Sequence, residues 1–288
     1  IGFMIYGMSE YARATGDKVA LDTAIALYRS LEEHAYDAVS DGYIEALTRD
    51  WQSLDDMRLS ELDENGSRTQ NTHLHIIEPY TNLYRVWPDE GLRTALVRLL
   101  HIFIDKLMNA GQGHIDLFFD DNWQGRRDIQ SYGHDIEASW LLHETALVLG
   151  DKEILEWVEP KVVRIAEASR RGLLPNGAMR HEAHLDCSRH DYDLHWWVQC
   201  ENIIGNLNLY QHFGDQTALR TALACWQWVE EHLIDRENGE WHWSVREDGT
   251  LNLDDDKAGF WKCPYHNTRL CLEILERSFL VVEGGHAV

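Results

Sequence analysis

Apolar positions in this chain recur three and four residues apart far more often than they alternate, so a helical period dominates. Residues 2–14 set Phe3, Tyr6, Met8 and Tyr11 near one face, and the polar ATGDK that follows ends the run. The same period predicts helices over 17–35, 69–87, 90–110, 131–149, 151–172, 190–213, 216–235 and 263–281. Gly150 after LVL, Gly214 after QHF and the NGE at 238–240 supply the stops that helix C-termini favour. Strand character is confined to short pieces, HIDLFF at 114–119 and GEWHWSVREDGT at 239–250, which read as small hairpins ornamenting a helical body.

The order is helix, helix, decorated loop, repeated without a linker or a low-complexity stretch. Helical hairpins in such a series stack into a solenoid or close into an (α/α) barrel, so residues 1–288 read as a single all-α domain. About nine helices are expected, an odd number, as though one pair lacked its first partner.

Composition narrows the partners. Of 288 residues 44% are hydrophobic, enough for a large core, while Asp plus Glu at 49 against Lys plus Arg at 26 gives a net charge of −23. That surface repels a phosphate backbone or an anionic membrane, so nucleic acid is not an expected partner. No apolar run approaches the roughly 18 residues of a membrane-spanning helix. The first residues, IGFMIYGMSEYARATGD, carry neither a charged n-region nor a cleavage site, and they begin in mid-pattern without an initiator Met. Five cysteines, odd in number and without a CxxC pair, argue for a reducing cytoplasm rather than a disulfide framework or a zinc knuckle. Twelve Trp are many for this length and lean weakly towards carbohydrate, because an indole face packs on a sugar ring as well as in a core.

Four stretches place His, Glu and Trp where a core helix should be bland. In NTHLHIIEPYTNLY, residues 71–84, His75 and Glu78 share a face at i, i+3, while His73 points elsewhere. GHDIEASWL aligns His134, Glu137 and either Trp140 or Leu141; DLHWWVQCENIIG sets Trp197 one turn before Glu201; WKCPYHNTRL puts His266 in a first turn behind Pro264. Each has a plain structural explanation: a capping imidazole, an acid favoured by the helix dipole, an indole in the core. Their recurrence at the ends of successive helices, which would converge on one mouth in an (α/α) ring, favours a site. Three chemistries stay open on the residues alone. Two His-x-x-Glu pairs with His266 suit a metal. Neutral imidazoles suit metal-free proton transfer. Paired carboxylates in an acidic, Trp-rich cleft suit glycoside hydrolysis. No GxSxG, Gly-rich phosphate loop or Cys–His nucleophile pattern is present.

Together NTHLHIIEPYTNLYRVWP, SYGHDIEASWLLHE, WWVQCE and WKCPYHN, with GYIEALTRDW at 42–51, resemble the cellobiose 2-epimerase branch of the N-acylglucosamine 2-epimerase family, across essentially the whole chain. The resemblance implies an (α/α)6 barrel and epimerisation at C2 of a reducing-end sugar, cellobiose to glucosyl-mannose. The route runs through a cis-enediol(ate) and needs no metal and no cofactor. By motif, His134 and His266 would be the two acid–base residues and His75 would assist ring opening near O1 or O5. Glu137 would orient His134. Trp261, Trp197 and Trp140 would pack on sugar, with Glu201, Asp63 and Asn71 binding it by hydrogen bonds. The sister branch of aldose–ketose isomerases returns the proton to C1 instead, and an inactive sugar-binding member is the reading from another class. The expected partner is a small saccharide and the expected assembly a monomer or homodimer. Family members carry further helices before the stretch matching IGFMIYGMSEYARATGD, with an arginine and a tyrosine of the site among them. The barrel is therefore expected to be incomplete at its N-terminus, with apolar helix faces exposed there.

Overall fold

The computed structural model of the protein describes residues 1–59, 64–125, 128–186 and 190–283. Nine α-helices run through them: α1 (Gly2–Thr15), α2 (Lys18–His34), α3 (Gln70–Val86), α4 (Glu90–His101), α5 (Tyr132–Leu149), α6 (Lys152–Ser169), α7 (Trp196–Phe213), α8 (Gln216–His232) and α9 (Tyr265–Glu283). The caps are those the local sequence offers. Asp17, Asp89 and Asp215 accept first-turn N–H bonds of α2, α4 and α8, and Gly16 and Gly214 close α1 and α7 in the left-handed conformation.

Two predicted helices are shorter than their apolar period. The 90–110 run leaves the α-helix after His101 and continues as a widened π-turn, Ile102–Leu107, closed by Met108 N–H on the Phe103 carbonyl. The 190–213 run becomes helical only at Trp196, because Leu194–His195 is held in an antiparallel pair with Ser244–Val245. The expected hairpins form, with antiparallel bridges Phe119–Gly125 and Val245–Leu251, and they also find more distant partners: Phe118–Phe119 pairs with Arg68–Thr69. A period read over a few residues cannot reveal a strand partner fifty positions away.

Burial alternates from helix to helix. In α2, α4 and α8 one stripe is buried, as Leu92, Ala95, Leu96, Leu99 and Leu100 show in α4. By contrast α3, α5 and α7 are buried nearly all round, including their polar residues Glu78, Asp135, Glu137, Gln199, Glu201 and Asn202. Short strands run straight into these three helices, Arg68–Thr69 into α3, Ile129–Ser131 into α5 and Leu194–His195 into α7. The first turns that carry the His and Glu motifs are thereby fixed to ladders.

The chain forms two compact units, one of Ile1–Gln130 with Leu141–Ile165, the other of Ser131–Trp140 with Ala166 onward. In the first, Glu32 accepts from Tyr43 Oη at 2.5 Å, Tyr80 Oη at 2.9 Å and Arg98 Nη2 at 2.6 Å, so a single acid ties α2, α3 and α4 together. The flank of α1 exposes Phe3, Met4 and Tyr11. His73, fully buried, takes the Tyr43 N–H on Nε2 at 3.0 Å and faces the Thr69 carbonyl through Nδ1 at 2.6 Å. Both bonds are satisfied only by the neutral Nδ1–H tautomer, and burial lowers its pKa to about 4. Because that folded value lies below the unfolded 6.5, the stability it reflects is complete above pH 6.5. About 3 kcal/mol is lost as pH falls from 6.5 towards 4, where only the unfolded chain takes the proton. His73 is accordingly expected to keep a neutral imidazole NMR signature at pH 5; a protonated one would contradict this.

Candidate active site

In the second unit α5 and α7 approach so closely that side chains are excluded at two points. A Cβ on Gly133 would lie 2.6 Å from Cη2 of Trp197 and 2.8 Å from Val198 Cγ2, and one on Gly205 would lie 2.5 Å from Ile136 Cγ1. This contact sets Trp197 beside His134, with ring centroids 4.8 Å apart. A further neighbour of Trp197 is His266 in the first turn of α9, at 5.7 Å. One partly exposed indole thus touches the two imidazoles expected to move protons. His266 owes its place to the loop before α9. There the buried Lys262 donates to Glu240 at 2.9 Å, and Asn267 donates to the same carboxylate oxygen at 2.8 Å.

Beneath these rings lies a buried ionic cluster. Glu201 Oε1 faces His266 Nδ1 at 2.8 Å and accepts from Arg269 Nη2 at 2.7 Å, while Oε2 accepts from Trp140 Nε1 at 3.0 Å. The same Arg269 nitrogen reaches Glu137 Oε1 at 2.6 Å, and its Nη1 reaches Tyr265 Oη at 2.6 Å. Burial alone would raise the Glu201 pKa, but the charge of Arg269 and the bonds from His266 and Arg269 outweigh it and hold the acid well below its usual range. An ionised carboxylate only accepts, so His266 Nδ1 is the donor and Nε2 is the atom that takes or gives a proton. Nδ1 of His134 lies 2.9 Å from Ser131 Oγ, a residue on the strand end that leads into α5. Glu137, Glu201 and His266 have the donor set of a metal site, with atoms within 4.8 Å of one another. A guanidinium already bridges its two carboxylates.

A second histidine group backs Trp197. His181 stands edge-on to the indole at 5.6 Å, and its ring stacks on His195 at 4.2 Å and 11°. Asp191 Oδ2 lies 2.9 Å from His181 Nδ1 and 3.4 Å from His195 Nε2. These three residues, like Glu137, Glu201 and His266, have the donor set of a metal site, with atoms within 4.8 Å of one another, and in the structure the carboxylate accepts from both rings. Those bonds hold Asp191 far below the ordinary range despite its burial.

In the first unit His75 Nδ1 lies 3.3 Å from Glu78 Oε2, the i, i+3 pair expected from sequence, and its ring packs on Phe3 at 4.8 Å. Asn71 is partly exposed in the first turn of the same helix.

The sequence profile of the N-acylglucosamine 2-epimerase (GlcNAc 2-epimerase) family matches residues 1–269. A cellobiose 2-epimerase of Bacteroides fragilis is 53% identical over 275 residues, which are 96% of this chain and 70% of that enzyme. The chain belongs to the N-acylglucosamine 2-epimerase family. Its fold agrees: the solved cellobiose 2-epimerase of Bacillus thermoamylovorans superposes with a TM-score of 0.88 at 37% identity, over 96% of this chain and 70% of that one. The all-α class expected from the helical period, and the (α/α) barrel with short strands in its loops that the resemblance implies, are the fold of this family. A D-mannose isomerase of Marinomonas mediterranea is more distant, 21% identical over 86% of this chain and 64% of its own.

Against that family background, two expectations for indoles and acids change. Trp140, expected on a sugar face, has no exposed surface and supports Glu201 through its N–H. Glu201 is likewise enclosed and serves His266 rather than presenting an oxygen outward. Trp197 is partly exposed. Trp261 is about half exposed, five residues before His266, and packs edge-on against the nearly bare Phe260 at 4.9 Å. Asp63 lies outside the described residues. Sequence reasoning passed over Arg269 altogether. Its only signal was its i+3 spacing from His266, a cation at the helix end whose dipole disfavours one.

Proposed function

We propose that this chain is a carbohydrate isomerase that epimerises C2 of the reducing-end sugar of β-1,4-linked disaccharides, taking cellobiose to glucosyl-mannose. The observation that carries the reading is the pair of imidazoles, His134 and His266, that both pack against Trp197. Epimerisation needs one base to remove the C2 proton and a second acid to return one from the opposite face. In the open-chain sugar the C2–H bond breaks, its electron pair forms the C1–C2 double bond, and the aldehyde oxygen takes the negative charge. Reversal with a proton from the other imidazole inverts C2. His75, with Glu78 behind it, is assigned to the anomeric oxygens during ring opening, and Asn71 and Asp63 to sugar hydroxyls, on the family resemblance. Trp197 and the exposed Trp261 offer faces for the sugar rings. The proton carriers are imidazoles already partnered within the protein, so the scheme calls for no metal and no redox cofactor. Among the described residues no helix is long and apolar enough to cross a membrane, and Cys200, Cys225, Cys263 and Cys271 are free thiols, which suits the cytoplasm we assign.

Proton NMR of cellobiose incubated with the protein in D2O tests the assignment. Glucosyl-mannose carrying deuterium at C2, formed at the same rate with EDTA, is the expected result. A ketose product would move the chain to the isomerase branch. Binding without exchange would make it a sugar-binding member, and release of glucose would make it a glycosidase.

A further inference from the structure

We infer that Arg269 is a positioning residue, a clamp that keeps Glu137 and Glu201 both ionised and so locks His266 in the tautomer that leaves Nε2 to carry the substrate proton. The inference rests on the proton-transfer reading above, but its geometry stands independently.

Two carboxylates of adjacent helices, each with at most 1% of its surface exposed, both touch the single nitrogen Nη2 of Arg269, at 2.6 and 2.7 Å. Their oxygens lie within 4.8 Å of each other. Two buried carboxylates that close do not both ionise without a compensating cation; they share a proton, as like charges force them to. With Arg269 in place neither needs one. Without it, a proton entering the cluster would reach Glu201, whose Oε1 faces His266 Nδ1 at 2.8 Å. A neutral carboxyl can donate to Nδ1, which drives the imidazole proton to Nε2. That tautomer presents an N–H where the reaction needs a lone pair. A catalytic imidazole in the wrong tautomer loses up to about 10⁴ in kcat elsewhere.

Helix stability does not account for an arginine here. It occupies the first turns of α9, the positive end of the helix dipole, where a cation is disfavoured. It is 5% exposed, and its guanidinium lies over the faces of Trp140 at 5.0 Å and Tyr265 at 4.7 Å. Those stacking partners fix the plane of the fork so that one nitrogen meets two acids, a geometry that a lysine ammonium on a flexible stem does not reproduce.

The test compares wild type, Arg269→Gln, Arg269→Lys and the double variant Glu137→Gln/Arg269→Gln, each with ¹⁵N-labelled histidine. The His266 signal is assigned by its absence in His266→Asn. Imidazole ¹⁵N shifts read the tautomer directly and need no turnover. Arg269→Gln should convert His266 from the Nδ1–H form to a mixture, with kcat down at least 100-fold and KM within threefold. Removing the second acid should restore the Nδ1–H signal in the double variant, since one carboxylate alone can stay ionised against the imidazole. A packing role alone would not give that recovery. If Arg269→Gln fails to fold, Arg269→Lys and the double variant carry the same comparison. An unchanged His266 spectrum in the single variants, or no recovery in the double one, overturns the clamp. Wild type that fails to epimerise while these spectra behave as described would overturn the functional reading and leave the clamp standing.

Discussion

His134→Asn and His266→Asn are each expected to lower epimerisation by about 10²–10⁴ while leaving proton exchange from one epimer intact. The two imidazoles reach Trp197 from different helices, and the proposed mechanism assigns each one face of the C2 carbon. A variant lacking one base can still abstract and return a proton on the face it keeps. In D2O one variant should therefore exchange C2 deuterium into cellobiose but not into glucosyl-mannose, and the other should do the reverse. Asn is the replacement of choice because its amide can keep a donor near Glu201 Oε1, which otherwise stays buried beside Arg269. Loss of exchange from the same epimer in both variants would defeat the two-base arrangement. Retention of full activity in either would remove that residue from the chemistry.

Gly133→Ala should both destabilise the protein and impair catalysis. Its added methyl would stand 2.6 Å from one Trp197 ring carbon, 2.7 Å from a second and 2.8 Å from Val198. Neither neighbour can simply step aside: Val198 is fully buried, and Trp197 is braced behind by His181. Overpacking of this kind costs about 1–3 kcal/mol. Trp197 is the ring that touches both His134 and His266, so its displacement should also reduce kcat/KM by at least about tenfold, since small misplacements of positioning groups are costly. Gly7→Ala is the matched control. A Cβ there meets nothing within 4 Å, on an exposed stretch of α1, and should stabilise slightly through helix propensity. Thermal melts and steady-state kinetics on the two variants decide it; equal behaviour would mean that the α5–α7 approach does not set the site.

Much of this was legible in the chain because it is local. The 3.6-residue period located all nine helices among the described residues, and the i, i+3 and i, i+4 spacings paired His75 with Glu78 and set Trp197 one turn before Glu201. Gly150 and Gly214 marked helix ends because positive φ is cheap only for glycine. The family motifs are local too, so they single out His134 and His266 without the Trp197 ring that both pack against.

What the sequence could not decide are the relations between residues sixty to more than a hundred positions apart. Trp140 and Trp197 are both indoles on helix faces, yet one is fully buried and the other partly exposed, because burial is set by the neighbouring helix and not by residue type. Glu201 reads as a sugar ligand until Trp140, His266 and Arg269 are seen to take its oxygens. Arg269 reads as an ordinary basic residue until two acids from other helices meet at its Nη2. Hydrophobic period and turn chemistry follow from covalent spacing along one chain, so the sequence by itself determined the helices and which residues share a face. Ionisation, tautomer and exposure depend on what is packed against a group and on the dielectric around it, and only the tertiary structure supplies those neighbours.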